Sequence, residues 1–214
     1  MKKLLFTLLL ACSSLLMHGQ KLHMGLKVQP QIGFATSDTD KFESAGSKIG
    51  FDFGLIADYM FAENFGFGSG LSISGQNFKM QTKGLKDTTI ATTYKLQYIQ
   101  IPLTFKFKTN KIGEFKYWAN FGISADVNIK AKGDFIKTAA SGTEVPAGTN
   151  KDIRKNISFY RTALLIGAGI EYEVGGNASL LGGFQYSTGF SDLYTPADAK
   201  FMNSYVGLTV GVIF

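Results

Sequence analysis

Phe115-Lys116-Tyr117-Trp118-Ala119-Asn120-Phe121-Gly122-Ile123-Ser124-Ala125-Asp126-Val127-Asn128-Ile129-Lys130-Ala131-Lys132 alternates apolar and polar residues along its whole length, and only Trp118 breaks the polar set. Period two means β-strand, because successive side chains leave opposite faces of the chain. The run is well over the ~9–11 residues that a tilted strand needs to cross a bilayer. The same rhythm appears at the start of the chain with the parity swapped. Leu22, Met24, Leu26, Val28, Pro30, Ile32 and Phe34 face one way, and His23, Gly25, Lys27, Gln29, Gln31 and Gly33 the other.

Working outward from these two runs gives eight segments: Leu22–Thr36, Ile49–Met60, Phe65–Phe78, Tyr94–Lys108, Phe115–Lys132, Ile157–Val174, Ser179–Phe190 and Phe201–Phe214. Their connections alternate in length. Ala62–Asn64, Thr109–Glu114 and Gly175–Ala178 are short, whereas Ser37–Lys48, Met80–Thr93, Gly133–Asn156 and Ser191–Lys200 are long. Outer-membrane barrels have this asymmetry, with short periplasmic turns and long extracellular loops. The sequence predicts an all-β fold, a closed eight-stranded antiparallel up-and-down transmembrane β-barrel.

Side-chain size decides which face is outside. One face carries Phe34, Phe51, Phe53, Phe65, Phe67, Phe105, Phe107, Phe115, Phe121, Phe184 and Phe190. The other carries glycines, among them Gly25, Gly50, Gly54, Gly68, Gly122, Gly169, Gly183 and Gly211. An eight-stranded barrel has an interior barely wide enough for its own side chains. The glycine face is therefore inner, the phenylalanine face meets lipid, and closure removes the unpaired edges that a bilayer would penalise. Aromatics near the short turns (Tyr59, Phe61, Phe65, Phe67, Phe105, Phe107, Phe115, Tyr117, Tyr172) are suited to the interface.

Charge follows the same sorting. Lys27, Lys95, Lys106, Lys108, Lys116, Lys130, Lys132 and Arg161, with Asp52, Asp58, Asp126, Glu171 and Glu173, fall on the polar face, and Lys79 is the exception. A charge facing lipid at mid-bilayer costs about 2–4 kcal/mol. Opposite signs in a narrow lumen must pair. The expected result is a salt-bridged polar network of Asp52, Asp58, Asp126, Arg161, Glu171, Glu173 and Lys116. Arg161 is its hub, because a guanidinium can grip carboxylates bidentately, with Asp52 and Asp126 as partners. A basic pore for anions is the alternative. In the fourth segment Tyr94, Leu96 and Tyr98 take even positions, then Ile99, Ile101, Leu103, Phe105 and Phe107 odd ones. A β-bulge near Tyr98–Ile99 would return both sets to one face, with Pro102 pointing inward.

Met1-Lys2-Lys3 and the apolar run from Leu4 to Met17 read as a secretory signal, too short for a spanning helix. Cleavage near Gly19 leaves 20–214 as a single barrel domain, exported to a Gram-negative outer membrane. Leu9-Leu10-Ala11-Cys12 also admits a lipoprotein reading. Cys12 is the sole cysteine, so its removal would exclude disulfides and thiolate chemistry. The net charge of +6 includes Lys2 and Lys3 and forms no basic run, which argues against nucleic acid.

Tyr98-Ile99-Gln100-Ile101-Pro102-Leu103-Thr104-Phe105-Lys106 is similar to a motif of small outer-membrane barrels of the Bacteroidetes, the PorT-like family. The resemblance spans the chain from the leader to the last strand. There Val206, Leu208, Val210 and Val212 precede Phe214, which looks like a barrel-assembly signal. It implies a role in an envelope or secretion assembly and carries over no catalytic residue.

Enzymes among small barrels resemble one another in placing a histidine with a serine or acid near the outer face. Here the histidines are His18, in the leader, and His23, at the periplasmic start of the first strand. No enzyme, cofactor or metal site is expected. The long connection Gly133–Asn156 carries Lys137, Lys151, Arg154 and Lys155 beside small polar residues. It is a candidate for docking a protein or lipid phosphates, and such a composition equally describes a solvated loop. The expected role is a non-enzymatic accessory or scaffold of an envelope or secretion assembly. A stand-alone envelope or adhesion barrel and a narrow solute channel are the alternatives. The expected partners are outer-membrane lipid and other envelope proteins, with the barrel a monomer.

Overall fold

Eight strands of alternating residues join edge to edge until the last meets the first. The computed structural model describes residues 22–38, 42–83, 88–139, 143–176, 178–193 and 201–214. The strands are β1 (Leu22–Ser37), β2 (Phe42–Met60), β3 (Phe65–Lys83), β4 (Thr89–Lys108), β5 (Phe115–Thr138), β6 (Glu144–Asp152), β7 (Tyr160–Gly175), β8 (Ala178–Gly189) and β9 (Phe201–Ile213). Chain neighbours pair antiparallel except β6 and β7, β5 pairs β7 in their place, and β9 returns to β1, so all but β6 form a closed ring. The ring is sealed at its base, where Phe214 and Met24 exchange backbone hydrogen bonds of 3.1 and 2.8 Å. The leader 1–19 and Cys12 lie outside the described residues.

The glycine face is inside, as side-chain size requires. Trp118, the one large residue in the polar set of β5, fills the lumen because its neighbours are bare. A Cβ on Gly169 or Gly183 would stand 2.8 or 2.5 Å from its ring. Outside, Phe51, Phe53, Phe105, Phe121 and Phe184 are each more than half exposed, which suits a wall in contact with lipid. Near the short turns the rings pair, Phe65 with Phe107, Phe67 with Phe105 and Phe115 with Tyr172.

The upper part of the wall corrects the sequence reading. β4 has no bulge: Tyr94, Leu96 and Tyr98 point into the lumen and are buried, in line with Gln100, Thr104 and Lys106 below them. The irregularity lies across the ladder in β5, between the pairs Gln97↔Lys130 and Tyr98↔Asn128, so Ile129 is the extra residue. It flips everything above it. Ala131 turns inward and is buried, while Lys130 and Lys132, expected in the lumen, face outward with Lys95.

The reason is a change of surroundings. Above the lipid level the wall meets water, so its apolar side belongs inside, as in a soluble barrel. Phe78, Met80, Tyr94, Leu96, Tyr98, Ala131, Ile157, Leu193 and Phe201 form an apolar plug across the outer lumen. Phe78 stacks on Tyr94 at 5.0 Å, and Phe201 packs against both rings.

The long connections are also shorter than expected. β2 starts at Phe42, β3 runs to Lys83, β4 starts at Thr89, and β6 with a 3-10 turn at Arg154–Asn156 occupies much of 133–156. These extensions are rich in Ser, Thr, Gln and Lys, so alternation there carries little contrast in hydrophobicity.

Candidate functional site

Polar side chains in the membrane-level lumen sort into stacked layers, each set by strand register. Beneath the plug, Arg161 of β7 lies opposite Asp126 of β5 and pairs with it through Nη1. Its Nε donates to Asn203 Oδ1 at 2.7 Å and its Nη2 to Ser187 Oγ and the Asn203 carbonyl. Gln29, Gln31, Ser74, Gln100, Ser124 and Tyr205 continue the network around the barrel.

Lower down, Lys27 meets Asp52 at 2.7 Å, and Ser72 donates to the other oxygen of that carboxylate. Lys106 pairs with Asp58 and sits 5.5 Å over the Trp118 ring. A cavity at this level, lined by Lys27, Asp58, Lys106 and Trp118, holds about 60 Å³, room for roughly two waters.

At the short-turn mouth Lys108 pairs with Glu171 at 2.7 Å. Glu173, in water past the aromatic girdle, is held by Lys116 at 2.5 Å and Lys111 at 2.9 Å. Hydrogen bonds from Lys116 and then Lys111 push its carboxyl down to about 2. His23 lines this mouth, a vestibule of about 630 Å³ that includes Lys108, Lys111, Lys116 and Glu171.

The sequence-derived set is therefore divided. Arg161 binds Asp126, while Asp52 belongs to Lys27, so Arg161 anchors one node rather than the whole lumen. Below it Asp58 pairs with Lys106, Glu171 with Lys108, and Glu173 with Lys116. Sequence reading passed over Asn203, Ser187 and the glutamine ladder. Their signal was available as polar residues alternating with apolar ones at the height of Arg161.

Above the bilayer level the candidate loop residues also part. Lys137 and Lys151 share a shallow cleft of about 250 Å³ with Ile90, Phe135 and Ala147, and Lys151 lies 5.9 Å over the Phe135 ring. Arg154 reaches the bulge, donating from Nη2 to the Ile129 carbonyl at 2.9 Å, and Lys155 is exposed in the 3-10 turn. On the outer side of the same sheet Lys95 pairs with Asp134 at 2.5 Å. The Lys95 hydrogen bond, followed by one from the Asn150 amide, holds the Asp134 carboxyl below its ordinary range. No group of His, Cys, Asp and Glu among the described residues is arranged to hold a metal ion.

A closed ring with an apolar belt outside and paired charges inside defines an outer-membrane β-barrel. The chain belongs to the family described as the outer membrane protein beta-barrel domain, whose model matches residues 18–195. It is similar in structure to Neisserial surface protein A at 14% identity and TM-score 0.47, covering 89% of this chain and 97% of that one. It is also similar to OprG of Pseudomonas aeruginosa (13%, TM-score 0.45, 91% and 97%) and to Ail of Yersinia pestis (14%, TM-score 0.40, 91% and 100%). No curated protein matches it in sequence.

Proposed function

We propose that this barrel is a non-conducting, non-enzymatic scaffold of the outer membrane that presents its β4–β5–β6 extension to another envelope protein. The observation that carries the reading is the lumen. It is filled by ion pairs and Trp118 at membrane level and by the aromatic plug above, so work is left to the outer surfaces. The extension supports it further: β5 and β6 form a hairpin that carries Lys137, Lys151 and Phe135 on one face. His23 sits at the short-turn mouth, away from any outer-face site, which weighs against acid–base chemistry there. The resemblance to PorT-like barrels is in keeping with a component of a secretion assembly.

Two measurements test this. In planar bilayers the purified protein should give no steady conductance, and reproducible anion-selective steps would replace the scaffold with a narrow channel. Affinity isolation from native outer membranes, with a tag inserted at 140–142, should recover a protein partner in fixed ratio. Recovery of the barrel with lipid alone would favour a stand-alone envelope protein.

A further inference from the structure

We propose that the outer wall of β3–β5, directly above the apolar belt, binds the phosphate of an outer-leaflet lipid headgroup. Cross-strand register fixes the height. The last apolar rung on this wall is Ile73–Ile99–Val127; the next is Gly75–Gln97–Lys130, and the one above is Asn77–Lys95–Lys132. Two residues of strand rise about 7 Å, so these lysines stand within a rung or two of the hydrocarbon edge. That is where lipid phosphates lie.

The charge there is one-sided. Lys130 and Lys132 form no ion pair among the described residues, whereas Lys27, Lys106, Lys108, Lys111 and Lys116 are each paired with a carboxylate. Lys79 lies one rung higher on β3. The acids nearby are Asp134, already taken by Lys95, and Asp152, which lies across from Lys132 and accepts the Arg154 amide. Farther around the ring the outward residues Tyr160, Thr162, Thr188, Met202, Phe34 and Thr36 at the upper strand ends carry no charge, and β2 adds exposed Lys48 and Glu43, the latter bonded to Gln81.

The wall is also shaped. Gly75 presents no side chain, and Asn77 is tied back to the Ile49 carbonyl at 2.8 Å. Between them and Lys95, Gln97, Lys130, Lys132 and Asn150 lies a cleft of about 380 Å³. Its upper rim is built by Asn150, which adopts φ +52° and gives its amide to Asp134 Oδ1 at 2.8 Å. Asparagine tolerates that left-handed conformation better than most residues. The Ile129 bulge, clamped by Arg154 and by the Ile153 amide on the Ala131 carbonyl at 3.2 Å, turns Lys130 and Lys132 into the cleft.

A lipid satisfies both halves of this surface. Its phosphate meets the ammonium groups, and its chains lie on the exposed column Ile101, Leu103 and Phe105 beneath. A soluble anion would use only the first half.

The test titrates the full purified protein, folded in octyl glucoside, with fluorescent lipid A in phosphorylated and enzymatically dephosphorylated forms. Each surface lysine near anionic lipid contributes on the order of 1 kcal/mol, so K130Q/K132Q should bind phosphorylated lipid A about thirtyfold more weakly. Dephosphorylated lipid A should bind the unaltered protein as weakly as that variant. D134N, which releases Lys95, should tighten binding about fivefold. K137Q/K151Q removes the same charge from the other face of the extension and should leave binding unchanged. Equal binding of the two lipid forms, or equal losses in the two double variants, would overturn the site. Displacement by inorganic phosphate at concentrations comparable to the lipid would reassign it to a soluble anion.

Discussion

β4 and β5 lie side by side and cross the same boundary between lipid and water, yet they meet it by opposite means. In β4 the faces stay constant and the residues change: Gln100, Thr104 and Lys106 point inward at membrane level, Tyr94, Leu96 and Tyr98 above it. In β5 the alternation of residues stays constant and the face changes, because Ile129 is inserted and Asp126 and Lys130 leave opposite sides. The result is the same on both strands. At membrane level the barrel is polar inside and apolar outside, and above it the order is reversed. A break in alternation thus marked continuous backbone, while unbroken alternation concealed a bulge. A one-residue slip sends every later side chain to the other face, so polarity identifies a face only when the surrounding medium is known.

The largest expected effect lies just beneath that boundary. Arg161→Met removes the cation from a buried pair and leaves Asp126 without compensation in the lumen. Breaking such a pair costs about 3–5 kcal/mol. The urea midpoint of the folded, heat-modifiable form should fall accordingly, and Arg161→Met/Asp126→Leu should recover part of the loss. An unchanged midpoint in the single variant would mean that the inverted layers stand without their ionic node.

Deleting Ile129 tests the bulge itself. Without the extra residue, Asn128 and Lys130 become consecutive and pair with Tyr98 and Gln97 in a regular ladder, so Lys130 and Lys132 still face outward and Ala131 inward. What is lost is the Ile129 carbonyl that accepts from Arg154. The expected loss in global stability is about 0.5–1.5 kcal/mol, the net worth of one hydrogen bond. The clearer readout is proteolysis: protection of Lys130 and Lys132 from trypsin should match the parent. Cutting there in the variant alone would mean that the extension depends on the bulge and its clamp, beyond the faces it sets.

How much of this was legible from residues alone follows the same boundary. At membrane level the medium is lipid, the alternation is strong, and side-chain size assigns the faces, so the ring, its glycine lumen and its inward charges at Asp52, Asp58, Asp126 and Arg161 could be read. The pairing could not, because register depends on hairpin geometry that composition does not encode. Lys27 rather than Arg161 holds Asp52 for that reason. Above the membrane the physical rule for inside and outside is reversed, and the same reading misplaced Lys95, Lys130 and Lys132. Polar stretches such as 42–48 and 144–152 meet water and lack the contrast that marks a strand.

The smallest effect comes from the other edge, where water returns below the girdle without an inversion. Glu173 keeps the parity of the lumen face but stands exposed between Lys116 and Lys111. Its carboxyl ionises at about 2 rather than 4.5, drawn down by those two lysines. A group with a lowered folded pKa stabilises the fold fully above its unfolded value and loses that contribution as pH falls through the folded one. The stabilisation should therefore be intact above about 4.5 and disappear toward about 2. Glu173→Gln should flatten that part of the acid limb in urea midpoints of the whole barrel, by a margin small enough to vanish in high salt. Asp134, lowered by Lys95, titrates in the same direction at the opposite edge. If the extension opens separately from the ring, Asp134→Asn should alter only its acid-induced exposure to pepsin and leave the global midpoint in place. A shift of the global midpoint by Asp134→Asn would instead mean that the two sides of the boundary unfold as one.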